Sequence, residues 1–181
     1  MNQILRATLF DGSVYSEIDD KPEHMFRALG VVFISALCFG AGIWSYFREG
    51  AKPEEMTELN LVLFVGVSTI VMGWVIWTGF AWLLGTKFFG GTAGYRVLLR
   101  AMGLAYLPIC LWLMVNVTLG GTFLSFSSHI WLLIGGIAAI KHTEAIAWWK
   151  AIISGSIGWF WSLIVIPYFL VFLPAFEQFP S

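Results

Sequence analysis

The chain has 181 residues, of which 59% are hydrophobic and only 12% are charged. A soluble domain carries about 25% charged and about 45–50% apolar residues, so this chain has too little polar surface to cover a water-soluble globule. The composition therefore predicts an integral membrane protein. The formal net charge of −1 argues against a nucleic-acid partner, because no basic face is available to release counterions from phosphates.

The first 27 residues are mixed in charge and too few to bury a core of their own. Apolar residues at helical spacing lie on both sides of a D-G-S break at 11–13, which predicts an amphipathic helix lying on the cytoplasmic membrane surface. These residues are Met1, Ile4, Leu5, Leu9 and Phe10, then Val14, Tyr15 and Ile18. A disordered polar segment is the alternative. No cleavable signal peptide is expected, because the apolar run that follows is long enough to span a bilayer.

Long intervals without charged residues predict five transmembrane helices. The uncharged intervals contain 20, 28, 40 and 26 residues, beginning after Arg27, Glu58, Arg100 and Lys150. About 20 residues already cross about 30 Å of hydrocarbon, so the longest interval must hold two helices. Gly120-Gly121 and the following T-F-L-S-F-S-S-H predict a hairpin that divides it. The predicted spans are 28–47, 60–85, 99–119, 129–141 and 148–173, the fourth also using part of 124–128.

The basic residues predict the orientation of these spans. Five spans place the N-terminus and two inter-span loops on one side, which holds eight basic residues against two on the other: Arg6, Lys21, Arg27, Lys87, Arg96, Arg100, Lys141 and Lys150, against Arg48 and Lys52. Basic residues accumulate on the cytoplasmic side of membrane proteins. We therefore expect a cytoplasmic N-terminus, a membrane domain over 28–176 and a short external tail at 177–181.

Prolines and small residues predict the shape and packing of the helices. Pro108 and Pro167 each lack a backbone N–H and are predicted to kink the third and fifth spans. Small residues spaced four apart let helix backbones approach closely. The pairs are Ala36 with Gly40, Gly135 with Ala139, and Ser154 with Gly158. They predict a compact all-α bundle of five transmembrane helices that is also suited to self-association.

The span interiors lack the groups that ion-coupled transport needs. The uncharged intervals that define the predicted spans contain no Asp, Glu, Lys or Arg, and Arg100, Lys141 and Lys150 lie at span ends, whereas pumps carry protons or ions through intramembrane ionisable groups. Asn116 is the most polar deep residue and is interpreted as an interhelical hydrogen-bond donor. Cys38 and Cys110 lie in apolar runs and are interpreted as packing residues rather than as a disulfide or redox pair.

No catalytic, metal or cofactor site is predicted, so we do not expect an enzyme. His129 and His142 are 13 residues apart on one predicted helix, about 20 Å, and cannot share a metal ion within one subunit. No serine has a histidine and a carboxylate at a known motif spacing, and neither H-E-x-x-H nor paired cysteines occur. His142 with Glu144 is interpreted as part of a solvated cytoplasmic loop.

The stretch between the second and third spans combines polar side chains with glycine. G-G-T-A-G-Y-R before a helix is compatible with a phosphate cradle, but the lysine-serine ending of a P-loop is absent. The interpretation that we favour is a tight turn at the headgroup level, where Tyr95 anchors in the interface and arginines reach lipid phosphates. The candidate contacts for a partner or lipid are Lys87, Gly90, Gly91, Gly94, Tyr95, Arg96 and Arg100.

Three motifs and the span order resemble the Yip (Ypt/Rab-interacting protein) domain family, in its short prokaryotic form. The motifs are F-G-G-T-A-G-Y-R-V-L-L-R followed by L-A-Y-L-P, K-H-T-E-A-I-A-W-W-K-A, and F-D-G-S-V-Y-S-E-I-D-D-K-P. The resemblance implies a five-span protein of the bacterial cytoplasmic (inner) membrane with no settled activity, and carries over Gly90, Gly91, Gly94, Tyr95, Arg96 and Pro108 as fold signatures. The long polar N-terminal region and D-L-Y-G-P motif of eukaryotic members are absent, so Rab binding is not transferred.

Two functional hypotheses remain. In the first, the protein is a non-catalytic module that binds anionic headgroups and other membrane subunits, acts as an accessory of a complex, or organises the membrane. In the second, it is a channel or carrier for a small neutral or lipid-like solute. The second needs a water-lined path, for which the sequence offers little beyond Asn116, Thr118 and Thr122.

Overall fold

The computed structural model describes residues 6–7, 11–16, 18, 22–48, 56–117 and 119–162, and within these ranges all regular structure is helical. The elements are α1 (Gly12–Ser16), α2 (Pro22–Arg48), α3 (Met56–Phe88), α4 (Tyr95–Leu104), a 3-10 helix (Leu107–Met114), α5 (Leu119–Glu144) and α6 (Trp148–Phe160). The expected all-α class is therefore confirmed.

Four stretches are long and apolar enough to cross a membrane: Glu23–Arg48, Leu61–Phe88, Tyr95–Met114 and Gly120–Glu144. They correspond to the first four predicted spans. Large apolar side chains cover their outer surface, with Phe64 65% exposed and Phe123 74% exposed, as a lipid-facing surface requires. The fifth predicted span begins with α6, while 163–173, including Pro167, lies outside the described residues.

The fourth span begins earlier than predicted. The sequence pattern indicated a hairpin over 120–128, but α5 already begins at Leu119 and the turn occupies 115–117. The hydroxyl residues of this stretch were interpreted as a loop. They instead donate hydrogen bonds to the backbone of their own helix, as Ser125 Oγ does to the Gly121 carbonyl at 2.8 Å. Gly121 faces the Met114 carbonyl so closely that a Cβ would overlap it. The glycine therefore permits the tight reversal without interrupting the helix.

The third span changes helix type near Pro108. α4 ends at Leu104, and Pro108 lies in the first turn of the 3-10 helix that follows. Proline cannot donate the backbone hydrogen bond that would continue an α-helix, so the predicted kink takes the form of a junction between two helices. Ser35 of α2 donates to the Tyr106 carbonyl at 2.9 Å, which satisfies a backbone acceptor at this junction.

Small residues lie at the helix contacts. A Cβ on Gly66 of α3 would be 2.9 Å from the Cα of Gly40 in α2, so these two backbones nearly touch. On α6, a Cβ on Gly158 would lie 2.9 Å from the Trp77 carbonyl oxygen and 3.2 Å from the Phe80 Cβ. The other small residues predicted to mediate packing are also buried: Ala36, Gly135, Ala139 and Ser154.

The described part of the N-terminal segment packs on protein. Val14, Tyr15 and Ile18 are buried, and the backbone of Gly12 lies directly against the His142 ring of α5. The prediction that this apolar face lies on the membrane is therefore wrong for these three residues, because the bundle covers them. Burial also raises the pKa of the Tyr15 hydroxyl above its usual range. Met1, Ile4, Leu5, Leu9 and Phe10 lie outside the described residues.

Asp11 directly precedes α1 at the predicted D-G-S break. Its carboxylate accepts hydrogen bonds from the Ser13 backbone N–H at 3.1 Å and the Ser13 hydroxyl at 2.6 Å, which is the role of an N-cap residue. Arg6 Nε pairs with the second carboxylate oxygen at 2.8 Å. The Ser13 hydroxyl and then the Arg6 guanidinium lower the pKa of Asp11 to about 2.

Candidate functional site

The glycine-rich loop, residues 89–94, connects the end of α3 to the start of α4. Gly90 has a φ of 75°, in the left-handed region that glycine enters without a Cβ penalty. The Gly91 N–H then donates to the Gly85 carbonyl at 2.8 Å, which turns the chain back over the end of α3. The predicted tight turn is therefore present.

Side chains from three helices hold the loop in one shape. Trp82 of α3 donates its indole N–H to the Ala93 carbonyl at 3.2 Å. Lys150 of α6 donates to the Phe89 carbonyl at 3.0 Å. Glu144 at the end of α5 accepts a hydrogen bond from the Ala93 backbone N–H at 3.2 Å. The loop is therefore fixed at both of its ends by elements that are distant in sequence.

Glu144 is the residue around which the loop folds. Its side chain is 1% exposed, so the predicted solvated loop is wrong at this position. A Cβ on Gly85 would lie 3.2 Å from the Glu144 Cδ, and one on Gly91 would lie 3.0 Å from the same atom. Glycine at these two positions leaves the space that the buried carboxyl group fills.

The sequence holds a signal for Glu144 that span counting overlooks. It is the only acidic residue between Glu58 and Glu177. It also lies four residues after the long uncharged run that ends at Ile140, with Lys141 and His142 between them. A lone carboxyl group at such a position is costly to bury, and its isolation therefore marks it as a candidate functional residue.

The outer surface of the loop is basic and aromatic. We call it the basic loop face; its exposed residues are Lys87, Phe88, Thr92, Arg96, Trp148 and Trp149. The Nζ of Lys141 lies 5.4 Å from the Trp148 ring centroid and that of Lys150 lies 5.7 Å from the Trp149 ring centroid, within cation–π range. Gly90 and Gly94 are exposed beside them, and α4 begins after Gly94 without a side-chain cap. Lysine and arginine side chains and uncapped backbone N–H groups therefore share one surface.

Tyr95 and Arg100 do not occupy the surface positions predicted for them. Tyr95 packs against Trp82 with ring centroids 6.0 Å apart, and its hydroxyl donates to the Val75 carbonyl at 3.3 Å, so α3 partly covers it. Arg100 is only 6% exposed and cannot extend along the lipid surface. The reason is that α4 is buried on most sides beyond its first turn, from Leu98 to Leu104. Of the two arginines of α4, Arg96 alone belongs to the basic loop face.

The remaining polar residues lie away from the loop. Asn116 was expected deep in a span but lies exposed in the turn after the 3-10 helix, where it donates to Ser45 of α2 at 2.9 Å. That bond joins the turn to α2 rather than joining two helices inside the bundle. His129 accepts from the Trp112 indole N–H at 3.4 Å. Across the described ranges, no group of three or more His, Cys, Asp or Glu side chains is placed to hold a metal ion.

Several buried hydroxyl groups in the spans bond to carbonyls of their own helices. Thr78 donates to the Trp74 carbonyl at 2.7 Å, and Ser154 to the Lys150 carbonyl at 3.0 Å. Cys38 and Cys110 are free thiols, and the Cys110 sulfur lies 3.7 Å from the Ser35 hydroxyl. Thr122 donates to the Val115 carbonyl at 3.2 Å, while Thr118 lies outside the described residues. These hydroxyls therefore bond to the backbone of the helices and of the turn before α5.

The fold and site together define an all-helical protein with four helices of transmembrane length and a structured polar loop at one end. Comparison with protein-family models, with curated proteins and with solved structures finds no match to this chain. The resemblance to the Yip domain family therefore stays a prediction.

Proposed function

We propose that this chain is a five-span, non-catalytic protein of the bacterial cytoplasmic membrane, of the Yip domain type, whose basic loop face binds anionic lipid headgroups. The observation that carries the proposal is the fixed loop. Hydrogen bonds to Trp82, Glu144 and Lys150 hold its backbone, while Lys87 and Arg96 stay exposed beside it. A surface that is already ordered loses little conformational entropy when it binds.

The distribution of charge favours a cytoplasmic location for this face. α1 contacts His142 through Gly12, and the loop contacts Glu144 and Lys150, so the N-terminal segment, the loop and the α5–α6 connection share one end. Among the described residues, that end holds Arg6, Arg27, Lys87, Arg96, Arg100, Lys141 and Lys150, and the opposite end holds Arg48. The positive-inside rule then assigns this end to the cytoplasm, where the anionic lipids of the inner leaflet lie.

The chemistry of the basic loop face suits a phosphate-containing headgroup. Each lysine or arginine near an anionic membrane surface adds about 1 kcal/mol of attraction. Exposed Trp148 and Trp149 belong to the residue type that concentrates at the membrane interface. The uncapped start of α4 at Tyr95 adds backbone N–H donors and the positive end of a helix dipole.

The carrier alternative lacks a comparable observation. A path for a polar solute requires side chains that are free to exchange hydrogen bonds along the bundle. Thr78 and Ser154 instead bond within their helices, and Asn116 is at one end rather than inside. These features favour a closed bundle that presents a surface.

The test removes the two exposed charges together. Lys87→Gln with Arg96→Gln should weaken phosphatidylglycerol binding by about 30-fold, because two charges at about 1 kcal/mol each are lost. Native mass spectrometry of the detergent-solubilised protein, titrated with phosphatidylglycerol and with phosphatidylcholine, measures this change. Arg48→Gln, at the opposite end, is the matched control and should keep full affinity.

Unchanged phosphatidylglycerol binding in the double variant would contradict the proposal. If the double variant keeps lipid but loses a protein that co-purifies with the unaltered chain, the basic loop face is a protein interface instead. Asn116→Leu distinguishes the carrier alternative. If Asn116→Leu fails to complement a deletion of the gene while the double variant complements it, the chain is a carrier.

A further inference from the structure

Glu144 has fewer partners than a buried carboxyl group requires. One of its oxygens, Oε2, accepts the Ala93 N–H at 3.2 Å. The other, Oε1, is fully buried and has no hydrogen-bond partner in the described structure. It lies next to Gly85, whose built Cβ would be 3.3 Å away. Buried carboxylates normally use both oxygens, so the unpartnered oxygen demands a chemical explanation.

Burial and the helix end at Glu144 disfavour a negative charge there. α5 ends at this residue, and the carbonyl groups of a helix C-terminus place partial negative charge beside it. No described lysine, arginine or histidine forms an ion pair with Glu144. At this end of the elements packed there, the charged residues and histidines are Lys87, Arg96, Arg100, Lys141, His142, Lys150, Arg6 and Asp11, and the titratable tyrosines are Tyr15 and Tyr95. The Lys150 ammonium donates to Phe89, and Asp11 binds Arg6.

We infer that the Glu144 carboxyl is a proton-binding site that holds the glycine-rich loop closed in its neutral form and releases the loop when it ionises. A neutral carboxyl group is far less costly to bury than an unpaired carboxylate. Its carbonyl oxygen still accepts the Ala93 N–H. When the O–H bond breaks, the proton passes to bulk water and the carboxylate gains solvation by leaving the space between Gly85 and Gly91.

Release of Glu144 loosens one end of the loop and leaves the other end attached. The Ala93 N–H loses its acceptor, and the Trp82 indole N–H then holds Ala93 through its carbonyl alone, at 3.2 Å. Phe89 stays bonded to Lys150 at 3.0 Å. With one of the two hydrogen bonds at Ala93 gone, Thr92 and Gly94 become more mobile relative to Lys87 and Arg96. That this weakens headgroup binding as the pH rises rests on the proposed function; the movement of the loop itself does not.

The experiment follows the mobility of a spin label on the loop. Thr92 is exposed, so Thr92→Cys carries the label in a protein with Cys38→Ala and Cys110→Ala, reconstituted in phosphatidylcholine nanodiscs. Electron paramagnetic resonance spectra are recorded at pH 5 and pH 9. We expect an immobile label at pH 5 and loss of most of the immobile component at pH 9. Glu144→Gln, which cannot ionise, should keep the immobile spectrum at both pH values.

Controls identify the titrating group. His142→Gln and His24→Gln, the latter in the first turn of α2, should retain the transition, because the described hydrogen bonds to the loop come from Trp82, Glu144 and Lys150. Hydrogen exchange at the Ala93 amide of the unaltered chain, corrected for the intrinsic effect of pH, should accelerate over the same range. This second measurement stands if Glu144→Gln does not fold. The inference would be overturned if neither the label mobility nor the corrected Ala93 exchange rate changed between pH 5 and pH 9. A transition that persists in Glu144→Gln would also overturn it.

The two proposals fail separately. The spin-label experiment contains no anionic lipid, so a negative result there concerns Glu144 alone. Unchanged phosphatidylglycerol binding by the Lys87→Gln, Arg96→Gln variant would remove the proposed function and leave the loop movement intact.

Discussion

The indole N–H of Trp77 in α3 donates a hydrogen bond to the carbonyl oxygen of Gly155 in α6 at 2.8 Å. The Trp77 side chain is fully buried. Gly136 of α5 also lies against it, since a Cβ there would be 2.5 Å from the ring atom Cζ2. Three helices therefore meet at one tryptophan, and each of the two neighbours contributes glycine where the ring is closest.

Gly158→Leu should destabilise the contact between α3 and α6. The space beyond Gly158 is occupied by the backbone and ring of Trp77 and by Phe80, which cannot yield without moving a helix. Overpacking of this kind costs about 1–3 kcal/mol, so the melting temperature in detergent should fall. Gly79→Leu is the control, because no atom lies within 4 Å of a Cβ at that position. Equal melting temperatures for the Gly158→Leu and Gly79→Leu variants would contradict the contact.

Trp77→Phe tests the hydrogen bond separately from the packing. It leaves the Gly155 carbonyl without its donor and removes part of a buried ring. Side-chain hydrogen bonds within membrane proteins contribute about 0.6 kcal/mol on average, and the lost ring volume adds to that cost. Trp148→Phe, at an exposed ring, should have little effect on unfolding in a denaturant titration. Comparable losses of unfolding free energy in both variants would show that the hydrogen bond and the packing of Trp77 do not stabilise the fold.

The sequence was informative about elements whose pattern depends on the bilayer alone. Uncharged intervals located the first four spans, because a membrane-crossing helix must exclude charge over its whole length. Small residues spaced four apart identified Gly40 and Gly158 as contact candidates, because this spacing puts both small residues on one face of a helix. The hairpin was predicted too late in the chain because serine was interpreted as a loop residue. In the structure Ser125 bonds to the backbone of its own helix, which satisfies its hydroxyl group where no water is present.

The contacts of the site depend on tertiary structure and could not be predicted in this way. Glu144 and Ala93 are 51 residues apart, and no local pattern states that the end of α5 lies under the glycine-rich loop. The burial of Arg100 has the same origin, since it follows from how α4 enters the bundle. The glycines themselves were recognised, but the carboxyl group for which Gly85 and Gly91 leave space was not.

Gly91→Ala should loosen the glycine-rich loop. The added methyl group would overlap Oε2 of Glu144 and displace the carboxyl group from the Ala93 N–H. Loss of that hydrogen bond should cost about 0.5–1.5 kcal/mol and accelerate hydrogen exchange at Ala93. Gly94→Ala is the control: it has open space around its Cβ position and a φ of −71° that alanine adopts freely. Faster Ala93 exchange in Gly94→Ala than in Gly91→Ala would contradict this explanation.

Asp11 should titrate at an unusually low pH. Its pKa of about 2 lies below the value of about 3.9 for an unfolded aspartate. A carboxylate with a lowered folded-state pKa stabilises the fold above the unfolded value, and this contribution is lost as the pH falls through about 2. Nuclear magnetic resonance of the Asp11 carboxyl carbon measures the midpoint. Ser13→Ala should raise the midpoint, and Arg6→Gln should raise it less; an unchanged midpoint in both variants would exclude these partners.

The membrane topology can be tested by cysteine labelling. Five spans with a cytoplasmic N-terminus would place residue 92 on the cytoplasmic side and the C-terminus on the opposite side of the membrane. Single cysteines at Thr92 or Ser181, in a chain with Cys38→Ala and Cys110→Ala, should therefore react with an impermeant maleimide from opposite faces. In right-side-out vesicles Ser181→Cys should be labelled at once, and Thr92→Cys only after the membrane is permeabilised. Thr92 is exposed in the structure, so a failure to label it in permeabilised vesicles points to lipid or a partner covering the basic loop face. Labelling of both cysteines from the same face would mean that an even number of spans follows the second span, so that the chain ends on the same side as residue 92.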